Sequence, residues 1–258
     1  MTDRIAHFPM LIRVGALVAI VLGAKLLMHS VGWECLSINP LFSGIVAANV
    51  FLLGFLLSGV LADYKESERL PGELAAGLEN LGQEVRGIGL AKSEAPVGPC
   101  LEHLLKLATD LREWFHKRVR TTALHDAIDE LTVHWARLEP HTQATLLARL
   151  KQEQGTLRRL VVRIHTIRET SFIRSAYLLA DTITVLLCLG LVFVRIEPYY
   201  ESLFLVGIIA CVMIFLLLLI RDLDNPFGYY QSSSSEDVSL KPLLDAGKRL
   251  AALCGAAR

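Results

Sequence analysis

Ile220-Arg221-Asp222-Leu223-Asp224-Asn225-Pro226-Phe227-Gly228 closes the last long apolar run of the chain and passes quickly from lipid-compatible residues to charge and then to a Pro-Gly stop. Arg221 and the two aspartates are costly to carry into hydrocarbon behind the leucines at 216–219, so the string reads as the exit of a membrane helix. Pro226 pushes Asn225 out of helical geometry, and Gly228 supplies a flexible turn.

Working outward, the composition agrees with a membrane protein. The 258 residues are 53% hydrophobic with no net charge, and the mean hydropathy is +0.45. Yet the charges are dense in the middle of the chain, so membrane spans flank a polar region. No basic excess or basic stripe with interleaved aromatics points to nucleic acid. The five cysteines, Cys35, Cys100, Cys188, Cys211 and Cys254, are scattered without a CxxC spacing. They read as small reduced residues rather than a disulfide framework or a zinc site.

Four apolar stretches are long enough to span, at 8–28, 41–62, 176–194 and 203–220. The first carries Arg13 and Lys25 near its ends, where cationic heads can snorkel to the interface. A signal peptide is its competing reading, but no convincing small-x-small cleavage pattern follows the core. Tyr199 and Tyr200, in the connector between the last two spans, suit a water-lipid interface. Arg4, Lys65, Arg69, Arg168, Arg174, Arg221 and Lys241 lie beside one set of span ends, whereas 29–40 holds no Lys or Arg and the second connector only Arg195. Both termini and the central region are therefore expected in the cytoplasm.

The predicted organisation is a first helix pair at 1–62, a cytoplasmic helical region at 63–174, a second pair at 175–221 and a cytoplasmic tail at 222–258. Within the middle region, Leu101, Leu104, Leu105, Ala108, Leu111 and Phe115 repeat at helical spacing. Leu124, Ala127, Ile128, Leu131, Trp135 and Leu138 predict a second helix. After Glu139-Pro140, a third carries Leu146, Leu150, Leu157, Val161 and Ile164, with a possible run-on into the third span. Ser93-Glu-Ala-Pro-Val-Gly-Pro99 is the turn that separates these from a helix continuing span two. The tail predicts a last helix with Leu243, Leu244, Gly247, Leu250, Ala251 and Cys254 on one side. No strand alternation or hairpin signal appears, so the fold class is all-α.

Catalytic chemistry finds no constellation. The histidines form no HExxH, and His116, His125, His134 and His165 lack a ligand spacing. The serine run 232–235 is not a nucleophile elbow, and no Gly-rich phosphate cradle exists. No catalytic residue, metal ligand or cofactor is expected.

Span two differs from the others. Ala47, Phe51 and Phe55 follow i, i+4, i+8 and share a helix face, with Gly44, Ala48, Ser58, Gly59 and Ala62 on or near it. Close helix packing explains such a face, since small residues admit a neighbouring backbone and Phe fills gaps. A pore explains it too: copies arranged about an axis would set Phe51 and Phe55 in rings, an apolar constriction that closes by dewetting. Inward ring edges, which carry partial positive charge, would favour an anion. Asp63, Glu66 and Glu68 at the foot of the span either face a vestibule or pair with Lys65 and Arg69. Asp181, inside span three, either lines an ion path or pairs with Arg174.

Two strings carry a family resemblance. Phe51-Leu52-Leu53-Gly54-Phe55, followed by Tyr64-Lys65-Glu66-Ser67-Glu68-Arg69-Leu70-Pro71, resembles the second-helix signature of the bestrophins. Asn225-Pro226-Phe227-Gly228 is similar to their element after the fourth membrane helix, and the two strings stand in the family's order at the ends of the matching spans. The chain thus resembles the bacterial bestrophin-like domain family, a remote branch of those channels. The resemblance implies a homopentameric ion channel in the bacterial inner membrane, in contact with lipid and inorganic ions and conducting anions in preference to cations. Phe51 and Phe55 match the two aromatic neck positions, and Ala47 replaces a larger aliphatic residue at the third. Ser58, Gly59, Ala62, Asp63 and Glu66 would continue the lining towards the vestibule. Calcium-gated relatives follow Asn-Pro-Phe-Gly with acidic residues that supply hard oxygen ligands. Here Tyr229-Tyr-Gln-Ser-Ser-Ser-Ser235 stands in that place, so no calcium clasp of that type is expected. The alternative reading is a membrane-anchored sensor whose cytoplasmic helices bind a partner.

Overall fold

A computed structural model describes residues 8–169, 174–228 and 237–256. In chain order the elements are α1 (Phe8–Val31), β1 (Leu36–Ser37), α2 (Pro40–Ala91), α3 (Val97–Phe115), α4 (Thr121–Leu138), a 3-10 turn (Glu139–His141), α5 (Ala144–Glu169), α6 (Arg174–Phe193), β2 (Val194–Arg195), α7 (Tyr199–Leu223) and α8 (Lys241–Ala256). The all-α expectation holds, with one small addition: β1 and β2 form a parallel bridge that pairs Leu36 with Val194 and Ser37 with Arg195. Periodicity could not reveal a bridge two residues long, because alternation needs at least four. The expected run-on between the third helix of the middle region and span three falls on 170–173, outside the described residues.

Among the described residues, four helices are long and apolar enough to cross a membrane, over Met10–Val31, within Pro40–Ala91, over Ser175–Phe193 and over Tyr199–Leu223. The 52 residues of α2 reach about 78 Å at 1.5 Å per residue, so this helix must extend well beyond the ~30 Å of hydrocarbon. It takes part in two compact units: 40–64 belong with α1, α6 and α7, and 65–91 with α3, α4, α5 and α8.

In the first unit, Leu53, Leu56 and Val60 of α2 pack against Ala180, Leu187 and Leu191 of α6 and Val206, Met213 and Ile220 of α7. Val14 joins α1 to Ala210 and Ile214 of α7. Gly190 lets the Phe42 ring approach closely; a Cβ there would stand 3.1 Å from it, the close approach that small residues permit between membrane helices. Lys25 departs from the snorkelling expectation. Its side chain is 0% exposed, and its ammonium donates to Glu34 Oε1 at 2.5 Å and to the Val194 carbonyl. A buried ammonium needs such compensation, so Lys25 ties α1 to both connectors. His29 completes the cluster, with Nδ1 3.0 Å from Glu34 Oε2 and its ring stacked on Tyr199 at 3.7 Å.

In the second unit the predicted stripes form the core. Leu101, Leu104, Leu111 and Phe115 of α3, Leu124, Ile128, Leu131, Trp135 and Leu138 of α4, and Leu150, Leu157, Val161 and Ile164 of α5 are buried. The α8 face is shifted from the expected one: Leu243, Ala246, Leu250 and Leu253 are buried while Leu244 is exposed. Leu250 approaches so near that a Cβ on Gly82 would lie 2.5 Å from its Cδ2. Leu253 Cδ1 also comes within 3.3 Å of that position, so both leucines pack over Gly82.

A polar knot sits inside this core. Trp135 Nε1 donates to Gln154 Oε1 at 2.8 Å, and Gln154 Nε2 donates to the Ile128 carbonyl at 2.7 Å and to Thr132 Oγ1 at 3.1 Å. Gln154 thereby gives the buried indole N–H an acceptor. Gln154→Leu should strand that donor and lower the unfolding free energy by about 1–3 kcal/mol. Chemical denaturation of the purified protein measures it, and an unchanged midpoint would contradict the assignment.

Candidate functional site

The α2 helix presents two opposed faces in the first unit. Asn49, Leu53, Leu56 and Val60, at i, i+4, i+7 and i+11, are buried. Phe51 and Phe55 lie on the other side, about 200° from Asn49 and Leu53 respectively, and are 77% and 65% exposed. Ala47, Ser58 and Ala62 are exposed with them, and Gly59 is half-buried. Neither ring fills a gap between helices of this unit, so intrachain packing does not account for them.

One interaction fixes which face turns outward. Asn49 Nδ2 donates to Thr184 Oγ1 on α6 at 3.1 Å and lies 3.5 Å from Met213 Sδ on α7. These Nδ2 contacts hold α2 in one rotation, while Asn49 Oδ1 is buried with no hydrogen-bond partner among the described residues. Ala47 also lines an apolar cleft of about 230 Å³ with Phe42, Val46, Leu191 and Val194. The third position of the stripe therefore borders open space rather than side-chain bulk.

The charged candidates have definite settings. Asp63 is exposed and makes electrostatic contacts of its own. Glu66, in the second unit, accepts both bonds of a bidentate pair from Arg163 Nε and a terminal nitrogen, at 2.8 and 2.7 Å. That hydrogen-bonded guanidinium holds the Glu66 carboxyl below its ordinary range. The expected partners Lys65 and Arg69 are displaced by a residue 97 positions away. Arg69 bonds Glu73 instead, at 3.3 Å. Asp181 pairs with Arg221 of α7 through Oδ2, a partner that spacing along α6 could not suggest. Its Oδ1 is buried with no hydrogen-bond partner among the described residues. The side chain of Arg174, the partner expected for Asp181, lies outside the described residues.

The exit string folds as its chemistry requires. α7 ends at Leu223 and Asp224 caps it, its N–H bonding the Ile220 carbonyl. Asn225 is partly buried and Pro226 buried in the first unit, while Phe227 and Gly228 are buried in the second. Phe227 is an anchor, its ring 5.4 Å from that of Phe115. The expectation about an acidic run after Gly228 concerns 229–236, outside the described residues. Asn49 was missed from sequence, although a lone amide inside the apolar run 41–62 was a legible signal.

No family model and no curated protein matches the chain. Solved structures do match its fold over nearly the whole length. A bacterial bestrophin homologue from Klebsiella pneumoniae superposes with TM-score 0.74 at 17% identity, covering 96% of this chain and 98% of that one. A point variant of the Klebsiella homologue gives TM-score 0.76 at 17% identity, over 94% and 98%. A structure described as a membrane protein gives 0.77 at 14% identity, over 92% and 97%. The chain has the bestrophin fold, at a remote level of sequence identity.

Replacing Asn49 by Leu should weaken the clamp between α2 and α6 and destabilise the protein by about 0.6–2 kcal/mol. Thermal unfolding in detergent reads this; a variant as stable as the native protein would mean that α2 is held by apolar packing alone.

Proposed function

We propose that this chain is a bestrophin-type ion channel of the bacterial inner membrane, a homopentamer with both termini in the cytoplasm and a pore lined by α2. The carrying observation is the exposure of Phe51 and Phe55 at 77% and 65% on the side of α2 away from the Asn49 clamp. Exposed apolar rings on a spanning helix can also face lipid; the shared fold and the Phe51-to-Phe55 and Asn225-to-Gly228 strings favour the pore. Around a symmetry axis each ring becomes a constriction, and an apolar constriction gates by dewetting. Ring edges turned inward stabilise a partly dehydrated anion, which favours anions over cations. Ala47 makes the neck wider at its level. Beyond Phe55 the lining continues through Ser58, Gly59, Ala62, Asp63 and Glu66, and the Arg163 partner removes the bias towards cations that an unpaired Glu66 would bring. No catalytic step is assigned.

Protein reconstituted in planar bilayers should pass current, and Phe51→Ala or Phe55→Ala should raise it, because each removes one apolar ring from the constriction. Absence of current together with a monomeric mass in detergent contradicts the proposal, as do variants whose currents equal the native one. The place of the acidic run is taken by Tyr229 and the serines after it, so titrating free calcium should leave conductance unchanged. Sharp activation by calcium would contradict that part of the reading.

A further inference from the structure

His103, Glu130 and His134 come together on facing sides of α3 and α4 in the helical second unit. No spacing along the chain announces them, because His103 stands on a different helix from the other two. Their donor atoms all lie within 4.8 Å of one another. His103 Nδ1 is 3.8 Å from Glu130 Oε2, and the two imidazole centroids are 5.0 Å apart. Glu130 and His134 are four residues apart on α4, so they share a face.

His103 Nε2 is 2.7 Å from the Ala127 carbonyl. A carbonyl accepts but does not donate, so the ring proton sits on Nε2 and the Nδ1 lone pair is left facing Glu130 and His134. Metal-ligating histidines are held in this way, one nitrogen bonded to a backbone carbonyl and the other free for the ion. The competing reading is a pair of polar rings filling space in the core. It explains poorly why two imidazoles, only 9% and 8% exposed, approach each other among leucines and tryptophans. Apolar side chains would fill that space without the cost of burying ring nitrogens.

We propose that His103 Nδ1, a ring nitrogen of His134 and a Glu130 carboxylate oxygen form a zinc site that clips α3 to α4, with a water in the fourth position. Two nitrogens and one oxygen suit a borderline cation, whereas calcium and magnesium require more oxygen ligands. Tetrahedral bonds of 2.0–2.2 Å place ligand atoms about 3.3 Å apart. Glu130, with its side chain 60% exposed, can swing inward from its present 3.8 Å to His103 Nδ1 towards that spacing. Cys100, one turn before His103, is not in the cluster, which consists of His103, Glu130 and His134. An ion bound by the folded bundle and not by the unfolded chain raises the bundle's stability. This role is independent of whether the protein conducts.

Zinc chloride titrated into the purified full-length chain in chelator-free detergent solution, followed by calorimetry, is expected to give one ion per chain. The thermal midpoint should rise with zinc, and X-ray absorption should show nitrogen and oxygen neighbours without sulfur. His103→Ala and His134→Ala should abolish binding and the thermal shift. Glu130→Gln, at an exposed position where the fold tolerates change, should weaken zinc binding about tenfold or more. It decides the matter if a histidine variant fails to fold. No binding at micromolar zinc, a sulfur neighbour, or a Glu130→Gln isotherm equal to the native one would each overturn the site.

Discussion

The hydrogen bond from Asn49 to Thr184 is the constraint on which the membrane half of the molecule turns. Lipid offers an amide no partner, so the cheapest arrangement of α2 is the one that brings Asn49 against α6. Leu53, Leu56 and Val60 then follow it into the core because they lie on the same face. Phe51 and Phe55 are carried outward by the same rotation. A single polar side chain, on the face of the helix away from both rings, thus helps set which surface the helix offers to whatever surrounds it.

Other charges in this unit obey the same rule. Lys25 is buried with Glu34 and the Val194 carbonyl, and Asp181 meets Arg221 across α6 and α7. Each pairing joins residues from separate elements, so each helps specify how the helices are ordered. In the helical unit Gln154 serves Trp135, and Glu66 and Glu79 are matched by Arg163 and Arg249. Phe227, just past the last span, is buried on Phe115 and fastens the start of the tail within that second unit.

Most of the secondary structure was readable in advance because apolar side chains recur at helical spacing wherever a helix must bury one face. The turn at 93–99 and the stop after Leu223 were readable from proline and glycine chemistry. What escaped was set by partners distant in sequence. Thr184 lies 135 residues from Asn49, and His103 and His134 occupy different helices. Lys25 was expected to reach for headgroups, because nothing in the first span reveals that Glu34 folds back onto it. The α8 face was only partly readable: Leu243 and Leu250 are buried as expected, but Ala246 and Leu253 join them in place of Leu244 and Ala251. The stripe of Ala47, Phe51 and Phe55 was visible as a face, while its exposure required the fold.

The central claim is that this outward face of α2 meets other copies of itself around an axis. A cryo-electron microscopy structure of the full-length protein in lipid nanodiscs tests it most directly. The account predicts five copies, with Phe51 and Phe55 lining the central axis at successive levels. A monomer or dimer, or an oligomer in which both rings face lipid, would contradict it.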